Sequence, residues 1–232
     1  MKKDIHYWSE IIIDLAIEED LSNQSDVTSD NILLEDVNVK FSIRARQDMI
    51  LCGSLFVATI FNKIATRYEK NNITFEENFS DGAAVKTGEV IIHGVGNARL
   101  IFASERIILN LLQHLSAIST KTNKFIKKIG DSKTKILDTR KTIPGFRHLH
   151  KYAIRIGGGY NHRFSLFDAI LIKDNHIAAA GGVKNALNNI CSKNINIPIE
   201  IECDNLQQVR DAVQYDVDII MLDNMNIEQM RK

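Results

Sequence analysis

Arg140-Lys141, His162-Arg163 and Lys173 are the cations of this chain whose placement suggests chemistry, and the carboxylates Glu202 and Asp223 follow them. Arg140-Lys141 comes just after the apolar run that ends at Asp138. Lys173 closes Ala169-Ile170-Leu171-Ile172, Glu202 closes Ile197-Pro198-Ile199-Glu200-Ile201, and Asp223 closes Ile219-Ile220-Met221-Leu222. Short apolar runs that end on a charge are how buried parallel strands deliver polar groups to one rim of an α/β sheet. Adjacent strands that end in cations repel unless an anion lies between them. If the four runs point one way, the cations and the two carboxylates share a mouth suited to an anionic, phosphorylated substrate with a divalent metal.

Other residues carry weaker signals. Gly157-Gly158-Gly159 has neither GxGxxG nor GxxxxGK spacing, so it reads equally as a helix end or as backbone that approaches a ligand. Glu202 and Asp223 could balance the cations or hold Mg²⁺ beside phosphate. Glu200 faces away from Glu202 on a strand, so only one of the two can look into the mouth. Arg106 and His114 lie on one helix, the first on a surface face and the second read as packing.

The elements that must position these residues change rhythm along the chain. Residues 7–19 repeat apolar positions at helical spacing, and Asp26-Val27-Thr28-Ser29 reads as a polar loop. Alternation predicts strands over 37–46, 74–79 and 90–95, with a helix over 55–68 and turns at Asp81-Gly82 and Lys86-Thr87-Gly88. Without a βαβ rhythm, residues 1–103 form an α+β domain. A long helix over 104–129 follows, with Ser104 and Glu105 at its start. From residue 135 the pattern alternates strand and helix, with helices over 149–156, 183–191 and 206–214, so residues 104–232 form a parallel α/β domain. Only nine residues follow Asp223, too few for a closed eight-stranded barrel.

Composition excludes several classes. Lys plus Arg equals Asp plus Glu at 29 each, so no overall field draws nucleic acid or an anionic membrane. Three cysteines without metal-ligand spacing fit a reducing compartment. Acidic residues break the N-terminal apolar segment, which predicts neither a signal peptide nor a membrane span and makes the cytoplasm the expected location.

Three stretches resemble the signatures of the quinolinate phosphoribosyltransferases. They are Asp138-Thr139-Arg140-Lys141-Thr142-Ile143-Pro144-Gly145-Phe146-Arg147, Gly157-Gly158-Gly159-Tyr160-Asn161-His162-Arg163 and Leu171-Ile172-Lys173-Asp174-Asn175-His176-Ile177. Ser104-Glu105-Arg106, Glu200-Ile201-Glu202 and Met221-Leu222-Asp223-Asn224 extend the likeness. The resemblance implies an N-terminal α/β sandwich followed by an α/β barrel of fewer than eight strands, here incomplete at its C-terminal end, assembled as a homodimer. It implies transfer of a phosphoribosyl group from 5-phosphoribosyl 1-diphosphate to quinolinate with loss of CO₂, a step of NAD synthesis, with Mg²⁺. Arg140, Lys141, His162, Arg163 and Lys173, with Thr139 beside them, would hold substrate carboxylates and phosphates. Arg106 would enter the partner subunit's site, and Glu202 and Asp223 would serve the ribose and Mg²⁺ side. Lys141, Lys173, Glu202 and Asp223 would be the catalytic members. Ala117, Ser22 and Ser25 stand where the family favours glycine, and the family continues past Leu222-Asp223-Asn224. An impaired remnant or binding module, or a ModD-like relative with another ligand, are the alternatives.

Overall fold

The computed structural model describes residues 4–34, 37–69, 73–193 and 195–232, and two compact units emerge, Met1–His162 and Arg163–Lys232. The Met1-Lys2-Lys3 start lies outside the described residues.

In the first unit, α1 (Ile5–Leu21) is capped by Asp4, whose carboxylate accepts from the Tyr7 N–H, and it buries Ile12, Ile13, Ile17 and Leu21. Residues 26–29, expected as a loop, instead open a helix, α2 (Val27–Ile32). Asp26 caps it by accepting from the Thr28 and Ser29 N–H groups, which satisfies donors that the helix start would otherwise leave bare.

Next come β1 (Asn38–Arg44), β2 (Met49–Ile50), a 3₁₀ turn, α3 (Val57–Arg67), β3 (Ile73–Glu77), β4 (Ala84–Val85) and β5 (Val90–Asn97). The antiparallel sheet has the order β1-β5-β3, and β2 pairs separately with β4. Gly94 sits where β5 is crowded from both sides: a Cβ there would lie 2.4 Å from the Thr74 carbonyl oxygen.

The long helix α4 (Ala98–Ile129) begins six residues before the expected start. Asn97 caps it by accepting from the Arg99 and Leu100 N–H groups. Ser104 is instead fully buried inside the helix, its hydroxyl donating to the Leu100 carbonyl at 2.7 Å. Serine competes for backbone partners in either place, so sequence favours it as a cap without fixing it there. Ser116 and Ser119 donate from α4 to the carbonyls of Cys52 and Ile50, and the Ile50 N–H donates to Thr120, which fastens the helix along the β2 segment.

The expected strand near 136–138 shrinks to one parallel bridge, Leu137 to Tyr160. Between its two sides runs α5 (Arg147–Ile156), which buries Leu149 and Ala153 against the core made by α1, α3, α4 and the sheet. Asp81 accepts from the Gly53 and Ser54 N–H groups and from the Tyr152 hydroxyl, tying α5 to the loop after β2. Burial, together with that carboxylate, pushes the Tyr152 phenol well above the usual range.

In the second unit β6 (Ile170–Ile172), α6 (Asp174–Ala180), α7 (Val183–Cys191), β7 (Ile199–Cys203), α8 (Leu206–Ala212), β8 (Ile219–Leu222) and α9 (Ile227–Met230) follow in order. The three strands are parallel in the order β6-β7-β8. The expected βα alternation is present, with α6 as a further helix beyond those the sequence pattern predicts. Leu187, Ile201, Cys203 and Ala212 are fully buried at the centre of this unit's own core.

Candidate active site

Of the expected site residues, the first unit carries Thr139, Arg140, Lys141 and His162. Asp138, immediately before them, is buried and serves as an anchor rather than a ligand. Its carboxylate pairs with the Lys151 ammonium, and both side chains are 1% exposed. The same carboxylate accepts from the Asn161 amide and, at 3.0 Å, from the His162 N–H. Lys151 in turn donates to the His162 carbonyl at 3.0 Å. Past this anchor the chain turns outward: Thr139 and Lys141 are exposed, and the Thr139 hydroxyl accepts from the Lys141 N–H. Arg140 is half-buried, and its Nε is one of two buried side-chain donors without a hydrogen-bond acceptor among the described residues.

Gly157-Gly158-Gly159 does structural work. Gly157 is where α5 ends against α4, and a Cβ there would lie 2.4 Å from the Ser119 carbonyl oxygen and 2.7 Å from Thr122 Cβ. Gly158 takes a positive φ of 93°. His114 packs its ring edge-on against Phe146 and meets His150, Nε2 to Nε2, at 2.8 Å. Arg106 is exposed on α4.

The second unit, taken by itself, carries the expected site residues Arg163, Lys173, Glu202 and Asp223. Lys173 follows β6 and is the N-cap of α6, Glu202 lies near the end of β7, and Asp223 follows β8. The register pairs Ile172 with Ile201 and Cys203 with Leu222, so the three side chains stand at the same carboxyl end of three adjoining strands. Lys173 Nζ lies 3.0 Å from the Glu202 carboxylate. Asp223 is half-buried, and its carboxylate accepts from the Asn224 amide at 3.0 Å. Glu200 points the other way and is buried. Arg163 donates to the Ala169 carbonyl at 3.1 Å. The loop between them is held by Asp168, which accepts from the N–H groups of Phe164 and Ser165. Partial burial works against the Asp168 charge, but these donors outweigh it and hold the carboxyl below its ordinary range.

No group of three or more His, Cys, Asp or Glu side chains forms a metal cage among the described residues. Mg²⁺ retains waters and binds through one or two carboxylates plus substrate phosphates, so the Glu202 and Asp223 pair fits it without a cage.

Family models described as the N-terminal and C-terminal domains of quinolinate phosphoribosyl transferase match residues 26–116 and 118–232. The chain belongs to the quinolinate phosphoribosyltransferase family. Among its relatives is a probable carboxylating nicotinate-nucleotide pyrophosphorylase of Bacillus subtilis, 39% identical over 89% of this chain and 70% of that protein. A Synechocystis protein of the same name is 39% identical over 80% of this chain and 62% of its own length, so the chain spans less than two thirds of that relative. Two solved structures named nicotinate-nucleotide pyrophosphorylase are also similar. That from Francisella tularensis gives a TM-score of 0.88 at 40% identity over 97% of this chain and 78% of the other. That from Ehrlichia chaffeensis gives 0.91 at 36% identity over 100% of this chain and 81% of the other. The fold expected for a quinolinate phosphoribosyltransferase, an N-terminal domain followed by an α/β domain, is the one found.

Sequence reading missed the anchor: Lys151 was not singled out, and Asp138 and Asn161 figured only as motif letters. The available signal is that Asp138 ends an apolar run, separated only by Thr139 from the Arg140-Lys141 pair, which places a carboxylate where it can be buried.

Proposed function

We propose that the chain joins quinolinate to 5-phosphoribosyl 1-diphosphate and decarboxylates the product, giving nicotinate mononucleotide, diphosphate and CO₂ in NAD synthesis. The observation that carries this reading is the row Lys173, Glu202, Asp223 at the carboxyl ends of three hydrogen-bonded parallel strands in a member of this family. Open α/β sheets bind ligands at that edge.

Quinolinate is a dianion, and its partner carries a phosphate and a diphosphate. Arg140, Lys141, His162, Arg163 and Lys173 supply donors for these groups, Arg forks for the carboxylates and Lys as point charges. Thr139 adds a hydroxyl beside them. Departure of diphosphate leaves positive charge on the ribose carbon, which the Glu202 and Asp223 carboxylates stabilise. Once the ring nitrogen is alkylated, its positive charge stabilises the electron pair left on the adjacent ring carbon as CO₂ departs, and that carbon takes a proton from solvent, so no protein nucleophile is needed. Mg²⁺ near Glu202 and Asp223 would offset charge on the leaving diphosphate. A homodimer in which Arg106 enters the partner subunit's site belongs to the same reading, as does a cytoplasmic location, with which the three free thiols accord.

The test is release of labelled CO₂ from carboxyl-labelled quinolinate by the purified chain. Release should require both the phosphoribosyl donor and Mg²⁺. No release with all components present overturns the proposal.

A further inference from the structure

The buried pair Lys151–Asp138 takes no part in the substrate contacts or chemistry proposed above, yet it touches the segments that carry Arg140 and His162. We propose that Lys151 is a positioning residue for anion binding: through Asp138 and the His162 carbonyl it sets the placement of Thr139-Arg140-Lys141 relative to His162. This inference rests on the phosphoribosyl transfer reading.

The backbone alone holds these two segments weakly. Their parallel pairing is one isolated bridge, Leu137 to Tyr160, with the Asp138 N–H donating to the Tyr160 carbonyl and the Tyr160 N–H to the Ile136 carbonyl. A single rung does little to fix register, and a slip by one residue would turn the cations to the other side. The polar clamp removes that freedom. Asp138 receives the His162 N–H while Lys151 donates to the His162 carbonyl, so both faces of one peptide residue are held from the same ion pair. Asn161 closes the loop, its amide donating to Asp138 and, at 3.0 Å, to the Lys151 carbonyl. α5 carries Lys151, and Tyr152 and Leu149 fasten that helix to the core, so the clamp has a rigid mount. A buried ion pair adds little net stability over apolar groups of the same size, and its best-attested use is to fix register.

That last point makes the proposal testable without relying on turnover. Calorimetric titration of quinolinate is compared for the wild-type chain, the double variant Lys151→Met with Asp138→Leu, and the core control Ile64→Val on α3. Removing both charges together avoids an orphaned buried ion. The double variant should keep a cooperative melt yet bind quinolinate at least about tenfold more weakly, as a displaced contact group does. Ile64→Val should lower Tm and leave affinity in place, separating positioning from stability. A folded double variant with wild-type affinity overturns the inference. If the double variant does not fold, Asn161→Ala, which leaves the charges paired, decides in its place: weaker binding supports the clamp, and unchanged binding overturns it. Failure of the wild-type chain to bind quinolinate would instead count against the function proposed above and is thereby distinguishable.

Discussion

Arg140 presents a buried guanidinium Nε that meets no hydrogen-bond acceptor among the described residues. Leaving a buried charged donor unmade costs about 1 to 3 kcal/mol or more, and a carboxylate ligand would recover that cost with charge-assisted bonds. Arg140→Ala should therefore weaken quinolinate binding by about 2 to 3 kcal/mol, with no loss of thermal stability. Calorimetry and a melt on the same sample check both halves, and unchanged affinity would remove Arg140 from the site. Arg140, Lys173 and Asp223 stand out in the sequence because each lies at or just past the end of a short apolar run, where a strand gives way to the rim of a sheet. Lys151 does not. On α5 the core residues Leu149 and Ala153 are four apart, and Lys151 lies two positions from each, about 200° round the helix. Helical periodicity assigns such a lysine to the solvated face. In the fold its ammonium instead meets Asp138 and the His162 carbonyl, partners brought to it from elsewhere in the chain, which no spacing rule contains.

At the scale of elements, α5 lies against α1 on one flank and α4 on another, and both contacts contain histidine. His148 stacks on Trp8 of α1 with ring centroids 4.3 Å apart, and His150 meets His114 of α4. Burial, with Arg147 and Lys151 nearby, lowers the His148 pKa, and burial, with His114, lowers that of His150. Folding thus favours the neutral rings. The unfolded chain takes up protons near pH 6.5 before the native state does, so this stability is complete above that pH and declines as pH falls below it. Melts between pH 7.5 and 5.5 should show Tm falling, and His150→Gln should flatten the fall. An equal slope in the variant would assign the effect to other groups. Gly157, where α5 ends, gives a second prediction. With Ser119 carbonyl oxygen 2.4 Å from a new Cβ, Gly157→Ala should cost about 1 to 3 kcal/mol, read as a shift in the denaturant midpoint. The helix α7 was legible from periodicity to its ends. The starts of α2 and α4 were not, because they depend on whether Asp26, Asn97 or Ser104 caps, and sequence alone allows each of them to.

At the scale of the whole molecule, most buried apolar side chains of the described residues fall into two separate clusters. One gathers α1, α3, α4, α5 and the antiparallel sheet, and the other gathers β6, β7, β8 with α7 and α8. The sequence reading divides the chain after residue 103, with the strand-and-helix rhythm starting near residue 135, whereas the compact units divide after His162, since α4 and α5 bury Leu111, Leu115, Leu149 and Ala153 in the first core. Separate cores need not lose stability together. Leu187 on α7 is fully buried in the second core, and Leu187→Ala should cost that core about 2 to 5 kcal/mol through lost burial and the cavity left behind. Amide hydrogen exchange followed by mass spectrometry locates the loss. Peptides covering β6, β7 and β8 should exchange faster in the variant, while those covering α4 and β5 keep their wild-type protection. A uniform rise across both units would mean that the two cores open as one cooperative body, and the division would then describe packing but not energetics.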